Sequence, residues 1–255
     1  MSIVDKSSVA MAFGRAATRY DSASELQQRV GRVLIDALVE KMMFSPHNHH
    51  ILDAGCGTGF LSHELKANYQ TVTALDLSNE MLETARMKNV ADHYIKGDIE
   101  ALPFEDESFC FSVSNLAVQW CHHLDVAARE LTRVVKKRGY AFFTTIVDHS
   151  LFELDEAWRA VDDRKHTLDF LKTDAVHEAL SGLSYELIPF TETLYFDDCI
   201  SVLRSLQNIG ATTLPERRQG LMGRSVLKTL SDAYPKKDGK FPLTYHLVLG
   251  VIRHE

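Results

Sequence analysis

Residues 51–60, ILDAGCGTGF, set Asp53 two positions ahead of glycines at 55, 57 and 59. Glycines so spaced permit a tight strand-to-helix turn and let a ligand approach bare backbone. A phosphate-cradling loop would end Gly-Lys-Ser/Thr, but here Gly59 precedes Phe60. A dinucleotide fingerprint runs G-x-G-x-x-G, whereas this one runs G-x-G-x-G. The acid narrows the chemistry further. A carboxylate beside the turn repels a pyrophosphate and favours a ligand carrying ammonium or sulfonium charge. Downstream, Asp76 follows Gly59 by 17 residues, at a spacing where an acid can accept from both hydroxyls of a ribose. Gly97-Asp98-Ile99 and Asn115-Leu116 follow in turn. Any one of these groups alone suits a cap or a surface charge; together they suit a binding site only if each ends a neighbouring strand.

The elements that would place them can be read from apolar periodicity. Residues 50–53 and 71–76 read as buried strands, with a helix over about 59–67 between them. Ser78 is a good N-cap for a helix over 79–88. Strands near 92–95, 109–115 and 140–147 follow, with a helix over 124–136 ending before Gly139. Two helices are expected to open the chain, the second with a capping box, Ser22-x-x-Glu25, ahead of Val30, Val33, Leu34, Ala37 and Leu38. After residue 148 the pattern predicts helices near 150–163, 173–181, 197–208 and 224–233, and strands near 185–195 and 243–252. Such alternation predicts an α/β chain with a parallel sheet covered on both faces. Late helical insertions, here 148–181 and 197–240, commonly sit over the carboxyl ends of the strands, as a lid and substrate region.

At 255 residues the chain suits one domain: an N-terminal helical cover over 1–45, a ligand-binding core over 46–147, and the remaining sheet with its insertions over 148–255. Its hydrophobic fraction, 45%, is ordinary for a soluble protein, and neither a secretory signal nor a membrane-spanning run is evident. Four scattered cysteines without a Cys-x-x-Cys pair predict neither a disulfide framework nor a zinc site, and suit the cytoplasm. A net charge of −7 argues against nucleic-acid binding. Residues 204–240 run the other way, with eight basic residues against three acids. Such a surface could receive an anionic partner.

The loop at 53–59 resembles motif I of the class I methyltransferases, which implies a doubly wound, mainly parallel seven-stranded sheet and S-adenosyl-L-methionine as cofactor, leaving as S-adenosyl-L-homocysteine. The string SNLAVQWCHHL, the opening VAMAFGRAATRYDSASELQ and the closing segments LRSLQNIGAT and FPLTYHLVLGVI are more specific. They resemble the malonyl-acyl-carrier-protein O-methyltransferases of biotin biosynthesis, and the resemblance runs essentially from end to end. It implies cofactor contacts from Asp53, Gly55, Cys56, Gly57 and Gly59, from Asp76, Leu77 and Met81, from Asp98 and Ile99, and from Asn115, Leu116 and Gln119. It also implies a malonyl-loaded acyl carrier protein as substrate. Methylating the malonyl carboxylate masks its charge, so that chain elongation can build a pimeloyl group on it. Carrier proteins are acidic, which gives the basic 204–240 region a meaning as a docking surface.

A carboxylate with a pKa near ~4 is ionised at neutral pH and needs no general base. Catalysis then consists of alignment and exclusion of water. The Asn-Pro-Pro-Tyr type of motif that methylates amino groups is replaced here by Asn115-Leu116-Ala117-Val118-Gln119-Trp120. Arg204 is the first candidate to grip the substrate carboxylate, its flanking Val202, Leu203 and Leu206 suggesting partial burial. Tyr20 is expected to close over the cofactor or donate a hydrogen bond; His246 is a weaker candidate. Two other readings stand beside this one: a small-molecule carboxyl methyltransferase of the trans-aconitate type, and a cofactor-binding assembly protein without turnover. The histidine clusters at 47–50 and 122–123 lack the helix-face spacing of a metal site, so no metal is expected.

Overall fold

The computed structural model describes Lys6, Ala10, Met11, Phe13 and Gly14, then residues 24–43, 49–68, 70–208 and 223–255. The strands are β1 (His50–Ala54), β2 (Thr71–Asp76), β3 (His93–Lys96), β4 (Phe109–Asn115), β5 (Val135–Ile146), β6 (Ser184–Phe196) and β7 (Phe241–Arg253). They form a seven-stranded sheet in the order β3-β2-β1-β4-β5-β7-β6. The first five run parallel, and β7 enters antiparallel between β5 and β6. The order reverses between β1 and β4, and in such sheets the ligand crevice opens beyond the carboxyl ends of the strands at that point.

Eight helices accompany the sheet among the described residues: α1 (Glu25–Met42), α2 (Phe60–Ala67), α3 (Asn79–Met87), α4 (Leu124–Arg133), α5 (Phe152–Arg159), α6 (Thr173–Ala179), α7 (Cys199–Asn208) and α8 (Arg224–Ala233). Alternation along β1 sends Ile51 to one face and Leu52 to the other. Ile51 joins Leu34 and Leu38 of α1, Leu61 and Leu65 of α2, and Leu82 of α3. Leu52 joins Leu124, Ala127 and Leu131 of α4 and Val176 of α6. Each face of the sheet is thus buried by helices. A third apolar cluster gathers Leu154 and Trp158 of α5, Val202 and Leu206 of α7, Leu230 of α8 and Tyr245 of β7, which ties the late helices to the sheet's antiparallel edge.

Several boundaries differ from the sequence expectation; the helix expected near 150–163, for one, spans Phe152–Arg159. The α4 helix stops at Arg133, not 136, and β5 starts at Val135. Partners shift from Phe109↔Val135 to Phe111↔Tyr140, so the intervening residues bulge, with Arg138 at φ 65°. Gly139 belongs to this close crossing and not to a helix end, because a Cβ there would lie 2.5 Å from the Cys110 carbonyl oxygen. The N-cap of α1 is Ser24, while Ser22 lies outside the described residues; Glu25 is the first helical residue and not the third. In α7 the helix proper begins at Cys199, and Asp198 accepts from the Ser201 amide at 2.7 Å.

Candidate cofactor and active site

The cleft at the switch point draws its walls from the ends of β1, β2, β3 and β4. Gly55 leaves β1 at φ 78°, and its amide donates to the Leu75 carbonyl at 2.7 Å. A Cβ on Gly55 would sit 2.4 Å from the Ala117 methyl, so this turn demands glycine twice over, by conformation and by space. Gly57, Gly59 and Phe60 carry the chain on into α2, with Gly59 as its N-cap.

Asp76 ends β2 with both carboxylate oxygens already engaged by backbone. The Gly57 amide donates to Oδ2 at 2.8 Å, and the Ser78 amide to Oδ1 at 2.8 Å. Burial pushes this carboxyl above the usual range, while those amides oppose the shift. Each oxygen retains a second lone pair, which is the equipment for accepting from a vicinal diol. Ser78 caps α3, its hydroxyl accepting from the Met81 amide at 3.3 Å, and so brings Leu77 and Met81 to the same wall. Asp98 and Ile99 line the cleft after β3, and Asn115 and Leu116 after β4.

Nine of the sequence-predicted cofactor residues therefore share one cleft: Gly55, Gly57, Asp76, Leu77, Met81, Asp98, Ile99, Asn115 and Leu116. Four others do not line it. Asp53 is 1% exposed and lies behind the turn, where it accepts from Ser62 Oγ of α2 at 2.6 Å. Burial first, and the Asp76 charge in addition, push its carboxyl up to about 7. Cys56 and Gly59 serve the turn itself. Gln119 follows in a short helical turn, its Oε1 buried and without a hydrogen-bond partner among the described residues. Tyr20 lies outside the described residues.

Arg204 departs from the expectation of partial burial. It is exposed on α7, because Val202 and Leu206 take the buried face and a residue midway between them turns outward. Asp197, just ahead of α7, pairs with Lys240. His246 sits beside Thr191 Oγ1, at 3.3 Å across the β6–β7 ladder.

The structure also contributes residues that sequence reasoning missed. Lys6, Ala10 and Phe13 of the N-terminal segment line the cleft, as do Trp120 and Cys121. Lys6 Nζ pairs with Asp98 Oδ2 at 2.5 Å and with Glu100. Phe13 meets Trp120 edge to face at 5.5 Å between centroids. Lys6 and Asp98 are 92 residues apart, and no spacing rule in the sequence couples them. Among the described residues no group of three or more His, Cys, Asp or Glu side chains gathers as a metal site, and no helix is long and apolar enough to cross a membrane. All four cysteines are unpaired.

Residues 52–143 match the methyltransferase domain family. In fold the chain is similar to the YcgJ protein of Bacillus subtilis (TM-score 0.56, 20% identity, covering 86% of this chain and 99% of that one). It is similarly related to a SAM-dependent methyltransferase of Thermotoga maritima (TM-score 0.51, 18% identity, 95% and 99% covered). Sequence relatives reach further. The malonyl-[acyl-carrier protein] O-methyltransferase of Salmonella typhimurium is 44% identical over 256 residues, covering 100% of both chains. That of Yersinia pestis is 44% identical over 253 residues, 98% of this chain and 92% of its own. With identity at this level running from end to end, over a cleft built from the carboxyl ends of four parallel strands, the chain belongs to the malonyl-[acyl-carrier protein] O-methyltransferase family.

Proposed function

We propose that this chain transfers a methyl group from S-adenosylmethionine to the free carboxylate of a malonyl thioester carried on acyl carrier protein, giving the methyl ester that primes pimeloyl synthesis for biotin. The observation that carries the cofactor reading is Asp76, a half-buried carboxylate facing a cleft with two lone pairs to spare. The cleft suits the cofactor in its other parts as well. Asp98 offers an acceptor for an adenine amino group, Leu77, Met81 and Ile99 offer apolar faces, and the bare backbone at Gly55 and Gly57 leaves room for the methionine portion. Asp53, one layer back, holds the turn against α2 through its bond to Ser62.

When bound, the cofactor supplies an electrophilic methyl on a sulfonium centre. What remains for the protein is alignment. The acceptor carboxylate is ionised at neutral pH, and no side chain has to remove a proton. Asn115 and Leu116 mark the reacting end of the cleft, and Phe13 and Trp120 narrow it against water. We assign Arg204 to the incoming malonyl carboxylate or its carrier as an exposed charge on the substrate-side helix, and Tyr20 to the cover over the cofactor. Arg224 and Lys237 are exposed in the same basic region and complement an acidic carrier protein. Lys228 and Lys240 contribute less there, being paired with Asp232 and Asp197. Four unpaired thiols suit a cytoplasmic setting.

The test is methyl transfer from labelled S-adenosylmethionine to malonyl-, succinyl- and acetyl-acyl carrier protein, with trans-aconitate alongside. Transfer to the malonyl carrier and not the acetyl one, as a base-labile ester, is the expected result. Transfer to trans-aconitate alone would move the activity to a small-molecule acid, and binding without any transfer would leave an assembly role.

A further inference from the structure

Asn115 closes β4 with its carboxamide held at both ends. Thr144 Oγ1 donates to Asn115 Oδ1 at 2.8 Å, and Asn115 Nδ2 donates to the Gln27 carbonyl of α1 at 2.9 Å. The next residue, Leu116, stands at φ 51°, in the left-handed region that residues with a side chain seldom adopt. Its amide donates to the Thr144 carbonyl at 3.2 Å and to Thr144 Oγ1 at 3.0 Å. One hydroxyl therefore accepts from Leu116 and donates to Asn115, at the point where β4 stops and the chain turns across the cleft. Thr144 is wholly buried and sits opposite Asn115 in the β4–β5 ladder. It does not line the cleft.

We propose that Thr144 is a positioning residue for methyl transfer: its hydroxyl fixes the orientation of the Asn115 carboxamide and the left-handed turn at Leu116, and through Asn115 it ties α1 to the floor of the site. Valine would keep the shape of threonine and make neither bond. The carboxamide would lose the donor that holds its oxygen, keeping only its bond to Gln27, and the Leu116 amide would keep only the longer of its two acceptors. Serine would keep both bonds. The inference rests on Asn115 and Leu116 being the reacting end of the cofactor cleft.

The experiment compares wild type, Thr144→Val and Thr144→Ser by two readouts. In the cofactor-free protein, NMR follows hydrogen exchange of the Leu116 amide and the Asn115 side-chain amide. Both should exchange at least about tenfold faster in Thr144→Val and near the wild-type rate in Thr144→Ser. In turnover with the malonyl carrier substrate, Thr144→Val should lose about tenfold to a hundredfold in kcat, the scale of a small misplacement at a reacting centre. Affinity for S-adenosylhomocysteine should stay within about twofold in calorimetry, and Thr144→Ser should restore most of the loss. Unchanged exchange in Thr144→Val, unchanged kcat, or an equal loss in Thr144→Ser would each overturn the assignment. If wild type transfers no methyl to the malonyl carrier, the functional reading fails, and the exchange readout still decides what Thr144 holds. If Thr144→Val does not fold, Thr144→Ala with Thr144→Ser as its rescue carries the same comparison.

Discussion

At the residue scale, half-buried Asp76 and fully buried Asp53 show two uses of a carboxylate within one site. Asp76 faces the cleft with its backbone partners in place, so Asp76→Ala should weaken S-adenosylmethionine binding at least about tenfold, the loss expected when a charge-assisted contact to a diol is removed. Unaltered affinity by calorimetry would remove the ribose assignment. Asp53 binds a proton more tightly in the folded chain, its carboxyl standing at about 7 against an ordinary value of 3.8. Its contribution to stability is therefore full below the ordinary value and is lost as pH rises through about 7. Asp53→Asn keeps an acceptor for Ser62 and cannot ionise. In urea titrations it should gain on wild type between about pH 5 and about pH 8. Parallel profiles for the two proteins would show that Asp53 is already ionised in the folded state at the lower pH. The glycine spacing made the turn legible, but not the depth of Asp53, because depth depends on α2 and Ser62 closing over it.

At the element scale, the parallel half of the sheet follows from apolar runs short enough for strands, separated by amphipathic segments that cover them. Ser78 illustrates how local chemistry serves the site: capping α3 also aims Leu77 and Met81 at the cleft. Ser78→Ala should cost about 1 kcal/mol in chemical denaturation, the usual value of an N-cap, and should weaken cofactor affinity as well. A stability loss with cofactor affinity intact would separate the cap from the site. The α4–β5 junction was less legible. Gly139 reads as a helix end, yet what requires glycine there is the nearness of the Cys110 carbonyl on a neighbouring strand. A contact between strands leaves no trace in local periodicity.

At the scale of the whole molecule, a net charge of −7 coexists with a basic 204–240 segment, and the docking proposal turns on that contrast. Arg224→Glu with Lys237→Glu should raise the KM for the malonyl carrier at least about threefold, more at low salt than at high, while leaving kcat and cofactor affinity alone. Arg204→Ala separates two roles. If α7 closes on the substrate, kcat/KM should fall at least about tenfold with cofactor affinity spared. If Arg204 stays a solvated charge, the effect should be small and screened by salt. Steady-state kinetics at two ionic strengths distinguishes these outcomes.

The sequence by itself determined the sheet's cofactor half, the glycine turn and the acids at successive strand ends, because those features are local: each depends on residue type and short-range spacing. Its terminal segments also carried the family resemblance. Tertiary structure decided what spans the chain. It brought Lys6 to Asp98, placed β7 between β5 and β6, turned Arg204 outward, and set the Thr144 hydroxyl between Asn115 and Leu116. Such pairings depend on which surfaces meet when the layers pack, and no periodicity along the chain encodes them.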